Sequence, residues 1–211
     1  MTMLYDFLKR IIDLVGALVG IIILSPIFLL VSLAIKLDSS GPIFADTPKR
    51  VGQSGKLFKM YKFRSMVKNA HEILEKNPKL LEEYKKNNYK IFDDPRVTKI
   101  GKFIRRFSID EFPQFFNILK GEMSLVGPRA YYPFELEEQQ LKYPQSREYV
   151  KIILSGKPGL TGLWQVSGRS EIDFDRRVKM DADYVQKRSI FFDLWLILKT
   201  IPAVLYGKGA I

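Results

Sequence analysis

Apolar positions are spread very unevenly along this chain. From Leu14 to Ile35 run 22 residues without a formal charge, most of them Ile, Leu, Val, Ala or Phe. At about 1.5 Å per residue, a helix of that length could cross a hydrocarbon core of about 30 Å. The pattern predicts a membrane segment within residues 1–37. The run exceeds the roughly 7–15 residues of a signal-peptide core, and no Ala-x-Ala-like site follows it. Two features oppose a plain crossing. Ser25-Pro26 lies near the middle, where proline removes a backbone donor and crowds the preceding turn, so a kink or break is expected there. Lys9 and Arg10 precede the run while Lys36, Lys49, Arg50, Lys56, Lys59 and Lys62 follow it, so both flanks look cytoplasmic by the positive-inside rule. A re-entrant helix that enters and leaves on one face satisfies both facts. An ordinary proline-kinked spanning helix competes with it on nearly even terms.

Beyond Ile35 the periodicity changes. Asp38-Ser39-Ser40-Gly41-Pro42 reads as a turn and Ile43-Phe44 as the start of a short strand. Basic residues flank an apolar pair from Lys56 to Lys59 and alternate with aromatic ones from Tyr61 to Arg64, which predicts a strand with one cationic face. An edge strand guarded by lysines is the simplest account of it. Residues 66–90 read as solvated helices interrupted at Asn77-Pro78. His71, the only histidine, has no neighbour there of metal-ligand type. Ile190 to Lys199 is apolar but short and charged, which fits an interfacial helix with Trp195 at headgroup depth or, equally, a buried core helix.

The length, 211 residues, suits one soluble core, residues 38–211, behind the membrane segment. Thirty-four Lys plus Arg against 23 Asp plus Glu give a net charge of +11, which calls for an anionic partner without choosing among lipid, nucleic acid and phosphorylated substrate. With no cysteine, a disulfide framework and thiolate zinc are excluded, and a reducing compartment is favoured.

Candidate chemistry centres on Ser108-Ile109-Asp110-Glu111-Phe112-Pro113-Gln114. Ser108 to Glu111 matches a capping box, and acidic residues are favoured in a first helical turn. Pro113 fits a helix beginning around Asp110 better than one capped by Ser108. Either frame puts the carboxylates at a positive helix end that also attracts phosphate oxygens, a place for a carboxylate nucleophile facing a phosphoryl group. Arg105 and Arg129, the latter on the turn Gly127-Pro128-Arg129, are the nearest candidates to offset charge through a bidentate fork. A divalent ion would complete the arrangement, since magnesium takes one or two carboxylates plus substrate phosphate oxygens.

Six blocks in order now carry a resemblance: the apolar segment with Ser25-Pro26; Lys62-Phe63-Arg64-Ser65-Met66; Asp94-Pro95-Arg96-Val97-Thr98-Lys99-Ile100-Gly101; the Asp110-Glu111 block; Gly127-Pro128-Arg129; and Lys157-Pro158-Gly159-Leu160-Thr161-Gly162. Over nearly its whole length the chain resembles the bacterial sugar transferases, the monotopic phosphoglycosyl transferases that move a sugar 1-phosphate from a UDP-sugar onto a polyprenyl phosphate. The resemblance implies Asp110 as the nucleophile of a phosphosugar-aspartyl intermediate formed with loss of UMP, and Glu111 as its dyad partner. It places Arg105, Arg129, Lys62 and Arg64 on substrate phosphate, magnesium on Asp110, and the break of a re-entrant helix at Ser25 and Pro26. The implied fold is α-rich α+β, compact, with a few short strands and interfacial amphipathic helices. The implied partners are a UDP-sugar, undecaprenyl phosphate and the cytoplasmic face of the bacterial inner membrane, with a second copy of the chain as a candidate homodimer partner and nucleic acid set aside.

Two departures narrow the branch. Ala130 stands where many members have a second proline, and Leu163-Trp164-Gln165-Val166-Ser167-Gly168-Arg169 replaces a more frequent variant, which looks like the branch using UDP-galactose or UDP-glucose. Gly159, Gly162 and Gly168 fit either a loop near the nucleotide or structural turns. A membrane-anchored phosphatase or pyrophosphatase using the same aspartate, and a non-catalytic basic lipid-binding module, are the rival functions.

Overall fold

The computed structural model describes residues 2–87, 89, 91–168 and 172–205. Its elements follow in the order α1 (Thr2–Asp38), β1 (Arg50–Val51), β2 (Leu57–Phe58), α2 (Ala70–Glu75), α3 (Pro78–Lys86), α4 (Lys99–Arg106), a 3-10 turn (Ile109–Glu111), α5 (Gln114–Lys120), β3 (Ser124–Val126), α6 (Pro133–Lys142), α7 (Ser146–Leu154), β4 (Gly159–Thr161), α8 (Leu163–Ser167), α9 (Phe174–Lys187) and α10 (Ile190–Leu205). The fold is predominantly helical with a few short strands. β1 and β2 form an antiparallel hairpin, Arg50 opposite Phe58, and β3 and β4 a parallel pair, Ser124 opposite Gly159. The long strand expected over residues 56–64 is confined to Leu57–Phe58. After it Asn117, fully buried on α5, takes over the backbone, accepting from Tyr61 N at 2.9 Å and donating to Lys59 O at 2.8 Å.

Helix α1 is long and apolar enough to cross a membrane by length and composition. The helix runs on through the expected break, with Pro26 inside it. Proline leaves the carbonyl four residues back, that of Ile22, without its amide donor, and the Ser25 hydroxyl donates to that oxygen at 2.8 Å. The Ser-Pro pair thus supplies a replacement donor where a bare proline would leave an orphan.

Both halves of α1 pack on the rest of the chain. Near its start Arg10 donates to Ile118 O and Leu119 O at 2.7 and 2.9 Å, at the carbonyl end of α5. Asp13, 3% exposed, accepts from Ser124 Oγ and Leu125 N at 2.9 Å each. Midway, Ala17 joins Phe58, Met60, Phe115, Ile118 and Met123 in one core. Toward its end Val31 and Ile35 join Phe63 and Ile104 in a second, with Phe28 edge-on to Phe63 at 5.2 Å. Two further cores lie between α6, α7 and α9 (Tyr131, Leu136, Val150, Phe174, Val178) and between β3, α9 and α10 (Val126, Tyr184, Leu196).

Residues 190–199 lie in α10, which has one buried and one exposed apolar face. Leu196 and Asp193 are buried, while Phe191, Leu194, Trp195, Leu198 and Ile201 are exposed. The interruption expected at Asn77-Pro78 is present: Asn77 caps α3 through Leu80 N at 3.2 Å, with Pro78 in its first turn.

Candidate active site

The capping-box frame at Ser108 does not form. Ser108 takes a left-handed conformation, φ 54°, without a side-chain cap, and Asp110 and Glu111 sit in the 3-10 turn ahead of α5, whose N-cap is Pro113. Proline cannot donate within a continuing helix, so the chain turns between α4 and α5 and presents the acidic pair at the corner. A non-glycine residue at positive φ costs of order 1 kcal/mol, and such strain gathers at functional sites.

Lys62 faces this corner. Phe63 N donates to Asp110 O at 2.9 Å, and with the Asn117 clamp on Lys59 and Tyr61 this fixes the backbone that carries Lys62. Its ammonium lies 2.6 Å from Glu111 Oε1 and 3.8 Å from Asp110 Oδ2. Asp110 is 7% exposed, and burial pushes its carboxyl up to about 6; Lys62 opposes this, Glu111 adds to it and Arg105 opposes it again. Burial also disfavours charge on Glu111, but Lys62, then Arg129 and Arg50, overcome it and hold that carboxyl below its usual range. The neighbours are thereby driven apart: Glu111 is the settled anion, and Asp110 is poised to ionise near neutral pH.

Arg129 stands across from the pair, its guanidinium 5.1 Å from the Trp164 ring centre and 5.8 Å from that of Tyr131. Its amide donates to Asp181 Oδ2 at 2.9 Å, and its buried Nε has no hydrogen-bond partner among the described residues. The β3–β4 pair sets this turn. A Cβ on Gly159 would come within 2.7 Å of Gly127 Cα, so the glycines of both motifs serve close packing behind Arg129. Arg105 acts on Asp110 by charge and lines the same cavity.

Arg64 departs from expectation. Nε donates to Pro42 O at 2.6 Å, one terminal nitrogen to Ser39 Oγ at 2.7 Å, and the other to Ser39 O at 2.8 Å and Ile35 O at 3.4 Å. The buried guanidinium is engaged with the carbonyl end of α1, where a cation is favoured, and it anchors the helix instead of reaching for phosphate. Arg96 is likewise turned inward, its Nε 2.9 Å and a terminal nitrogen 2.6 Å from the Asp94 carboxylate. Arg169 lies outside the described residues.

Three residues that the sequence reading passed over complete the site. Arg50, 7% exposed, donates to Ala130 O at 3.1 Å, and its guanidinium carbon sits 3.2 Å from the centre of the Tyr132 ring. Asn117 is the clamp described above. Asp181 is fully buried on α9, and burial pushes its carboxyl up to about 7 against the Arg129 amide and Arg177. Its signal was readable: Asp181 shares a helical stripe with Val178, Ala182 and Val185, and a charge on an apolar stripe is seldom idle. Asn117 carries the same mark between Phe115 and Ile118.

A cavity of about 1730 Å³ joins Lys62, Arg105, Asp110, Glu111, Arg129 and Arg50 to apolar residues of α1 and α10. Among the described residues no group of three or more His, Asp or Glu could hold a metal ion by itself, so a divalent ion there would need oxygens from a substrate.

A family model for bacterial sugar transferases matches residues 4–207. The chain is 43% identical over 206 residues to the exopolysaccharide production protein ExoY of Sinorhizobium fredii, covering 96% of this chain and 87% of that protein. It is 43% identical over 208 residues to the undecaprenyl-phosphate galactose phosphotransferase of Salmonella typhimurium, covering 97% of this chain and 42% of that one. It is 40% identical over 209 residues to the UDP-glucose:undecaprenyl-phosphate glucose-1-phosphate transferase of Escherichia coli, covering 96% and 41%. The chain thus spans most of ExoY and about two fifths of the longer relatives. With the match running from α1 into the residues after α10, the chain belongs to the bacterial sugar transferase family.

Proposed function

We propose that the protein transfers a hexose 1-phosphate from a UDP-hexose to undecaprenyl phosphate, the first step of assembling a polysaccharide or glycoconjugate. The observation that carries this is the charge-separated dyad in a cavity walled partly by cations and partly by apolar helices. In the first half-reaction an Asp110 carboxylate oxygen attacks the phosphorus that bears the sugar. The bond from that phosphorus to the UMP oxygen breaks, and UMP departs with the electron pair. In the second, a phosphate oxygen of the lipid attacks the same phosphorus, releasing the Asp110 carboxylate and the lipid-linked diphosphosugar. Glu111 keeps Lys62 beside the reacting phosphoryl group, and Arg129 and Arg105 offset the charge of a diphosphate brought against two carboxylates. Magnesium fits this donor set: Asp110, with Glu111, would hold it together with substrate phosphate oxygens, where it would neutralise developing charge.

The same reading places the enzyme on the cytoplasmic face with α1 re-entrant. Support comes from the polar contacts at both ends of the helix, Arg10 and Asp13 at one and the Arg64 anchor at the other, all made to one body of the protein. A straight crossing would carry one end away from that body. The galactose and glucose enzymes among the relatives support a hexose as the sugar. The test is incubation with radiolabelled UDP-sugars, magnesium and undecaprenyl phosphate, followed by lipid extraction. Label in the lipid phase is expected; free sugar phosphate alone would point to a hydrolase.

A further inference from the structure

The cavity that holds the dyad does not end at the polar residues. Its wall continues along α1 through Ile12, Val15 and Gly16 and along α10 through Ile197, Ile201 and Val204. The two helices are joined at one level, where Tyr5 Oη and Lys9 Nζ donate to Asp193 Oδ2 at 3.0 and 2.8 Å. One turn or more beyond that tie, residues of both helices face the same space, so the pair makes a slot closed at the Asp193 end. Both helices also carry exposed apolar side chains on their outer faces, Leu14 and Leu18 on α1 and Leu194 and Leu198 on α10.

Along the slot, the residues named above carry no polar side-chain atom. The hydroxyls nearest to it are already engaged: Thr161 and Thr200 bond each other at 2.6 Å, and Thr200 also donates to Leu196 O at 2.7 Å. Leu125, Phe115 and Leu160 line the same cavity as the slot residues and the dyad. A volume of about 1730 Å³ exceeds the roughly 300–1,000 Å³ that encloses a small molecule.

We propose that the slot between α1 and α10 receives the first isoprene units of the polyprenyl phosphate, so that the lipid enters from the bilayer with its phosphate leading toward Asp110. This rests on the transferase function proposed above. One end of the cavity matches an anionic head and the other a hydrocarbon tail, and an amphiphile with a single charged end complements both.

Val15 and Ile201, each more than half exposed at the slot, are the places to narrow it. With undecaprenyl phosphate in nanodiscs, Val15→Trp and Ile201→Trp should raise KM for the lipid about tenfold or more. The burst of UMP released from UDP-sugar before lipid is added should keep its amplitude. An unchanged lipid KM with a normal burst overturns the slot while leaving the transferase standing; no burst from the unaltered protein overturns the covalent intermediate, and lipid that gains no label from UDP-sugar overturns the transferase itself. Should a tryptophan variant lose its burst through misfolding, crosslinking decides. The chain has no cysteine, so Ile201→Cys carrying a benzophenone should crosslink radiolabelled undecaprenyl phosphate well above Leu141→Cys, an exposed control on α6. Equal labelling at the two positions, or none at either, refutes the slot.

Discussion

Replacing Asp110 by asparagine should abolish transfer and stabilise the fold. Burial and the adjacent Glu111 lift the Asp110 carboxyl from 3.8 to about 6, net of the opposing pull of Lys62 and Arg105. A shift of about two units corresponds to about 3 kcal/mol by which folding disfavours the ionised form. The sign follows from the raised value. Asp110 burdens the fold least below its unfolded value of 3.8, and the burden grows as pH rises, reaching its full size above about 6. Asparagine has the same shape and no charge to desolvate. It also leaves Lys62 wholly to Glu111. At pH 8 Asp110→Asn should therefore gain up to about 3 kcal/mol, roughly 5–10 °C in Tm for a chain of this size. About half of that should remain at pH 5, and about a fifth near pH 4. Thermal unfolding in detergent at those pH values, beside the lipid-transfer assay, reads both effects. An inactive variant no more stable than the parent at pH 8, or a gain independent of pH, would refute the account of Asp110 as a buried, destabilised carboxylate.

Asp181→Asn keeps an acceptor for the Arg129 amide and should retain activity within a few fold, whereas Asp181→Ala strands a buried donor and should lower kcat/KM by about 10–100-fold; equal losses in the two would separate Asp181 from Arg129. Arg64→Gln should cost about 3 kcal/mol or more in unfolding free energy, because a buried cation holding four oxygen contacts is lost, while KM for the UDP-sugar in the folded enzyme stays within about twofold; a large KM increase would return Arg64 to the phosphate site. A cysteine at Thr2 and one at Lys56 should both resist an impermeant thiol reagent in intact cells, as a re-entrant α1 requires, and labelling of the Thr2 variant alone would show a helix that spans.

The dyad, the basic Lys62 and the Gly-Pro-Arg turn stand out in the sequence as candidate chemistry because charge clusters at motif spacing survive without coordinates. Their geometry does not. The capping-box pattern at Ser108 is a local signal, and it lost to Pro113 and to a left-handed turn between α4 and α5, both of which pack against α1. For Arg64 the sequence does not show the carbonyl end of α1 arriving beside it, where its guanidinium is engaged. The sequence predicts a kink or break at Ser25-Pro26, whereas α1 runs on through it and the serine hydroxyl supplies the donor to Ile22 O. Arg50 and Asp181 lie about 60 and 70 residues from Asp110 in sequence, and nothing local to either of them announces the dyad. Their roles follow from tertiary contacts that bring the β1 hairpin and α9 around the turn carrying Arg129.

The most direct test of the account is whether Asp110 becomes covalently modified. Protein incubated with UDP-hexose and magnesium, without lipid, then quenched in acid and weighed intact, should gain the mass of one hexose phosphate for each UMP released. The adduct should map to Asp110, disappear when undecaprenyl phosphate is added before the quench, and be absent from Asp110→Asn. Release of UMP only when lipid is present, with no adduct on any residue, would contradict the two-step mechanism and require direct transfer between the substrates.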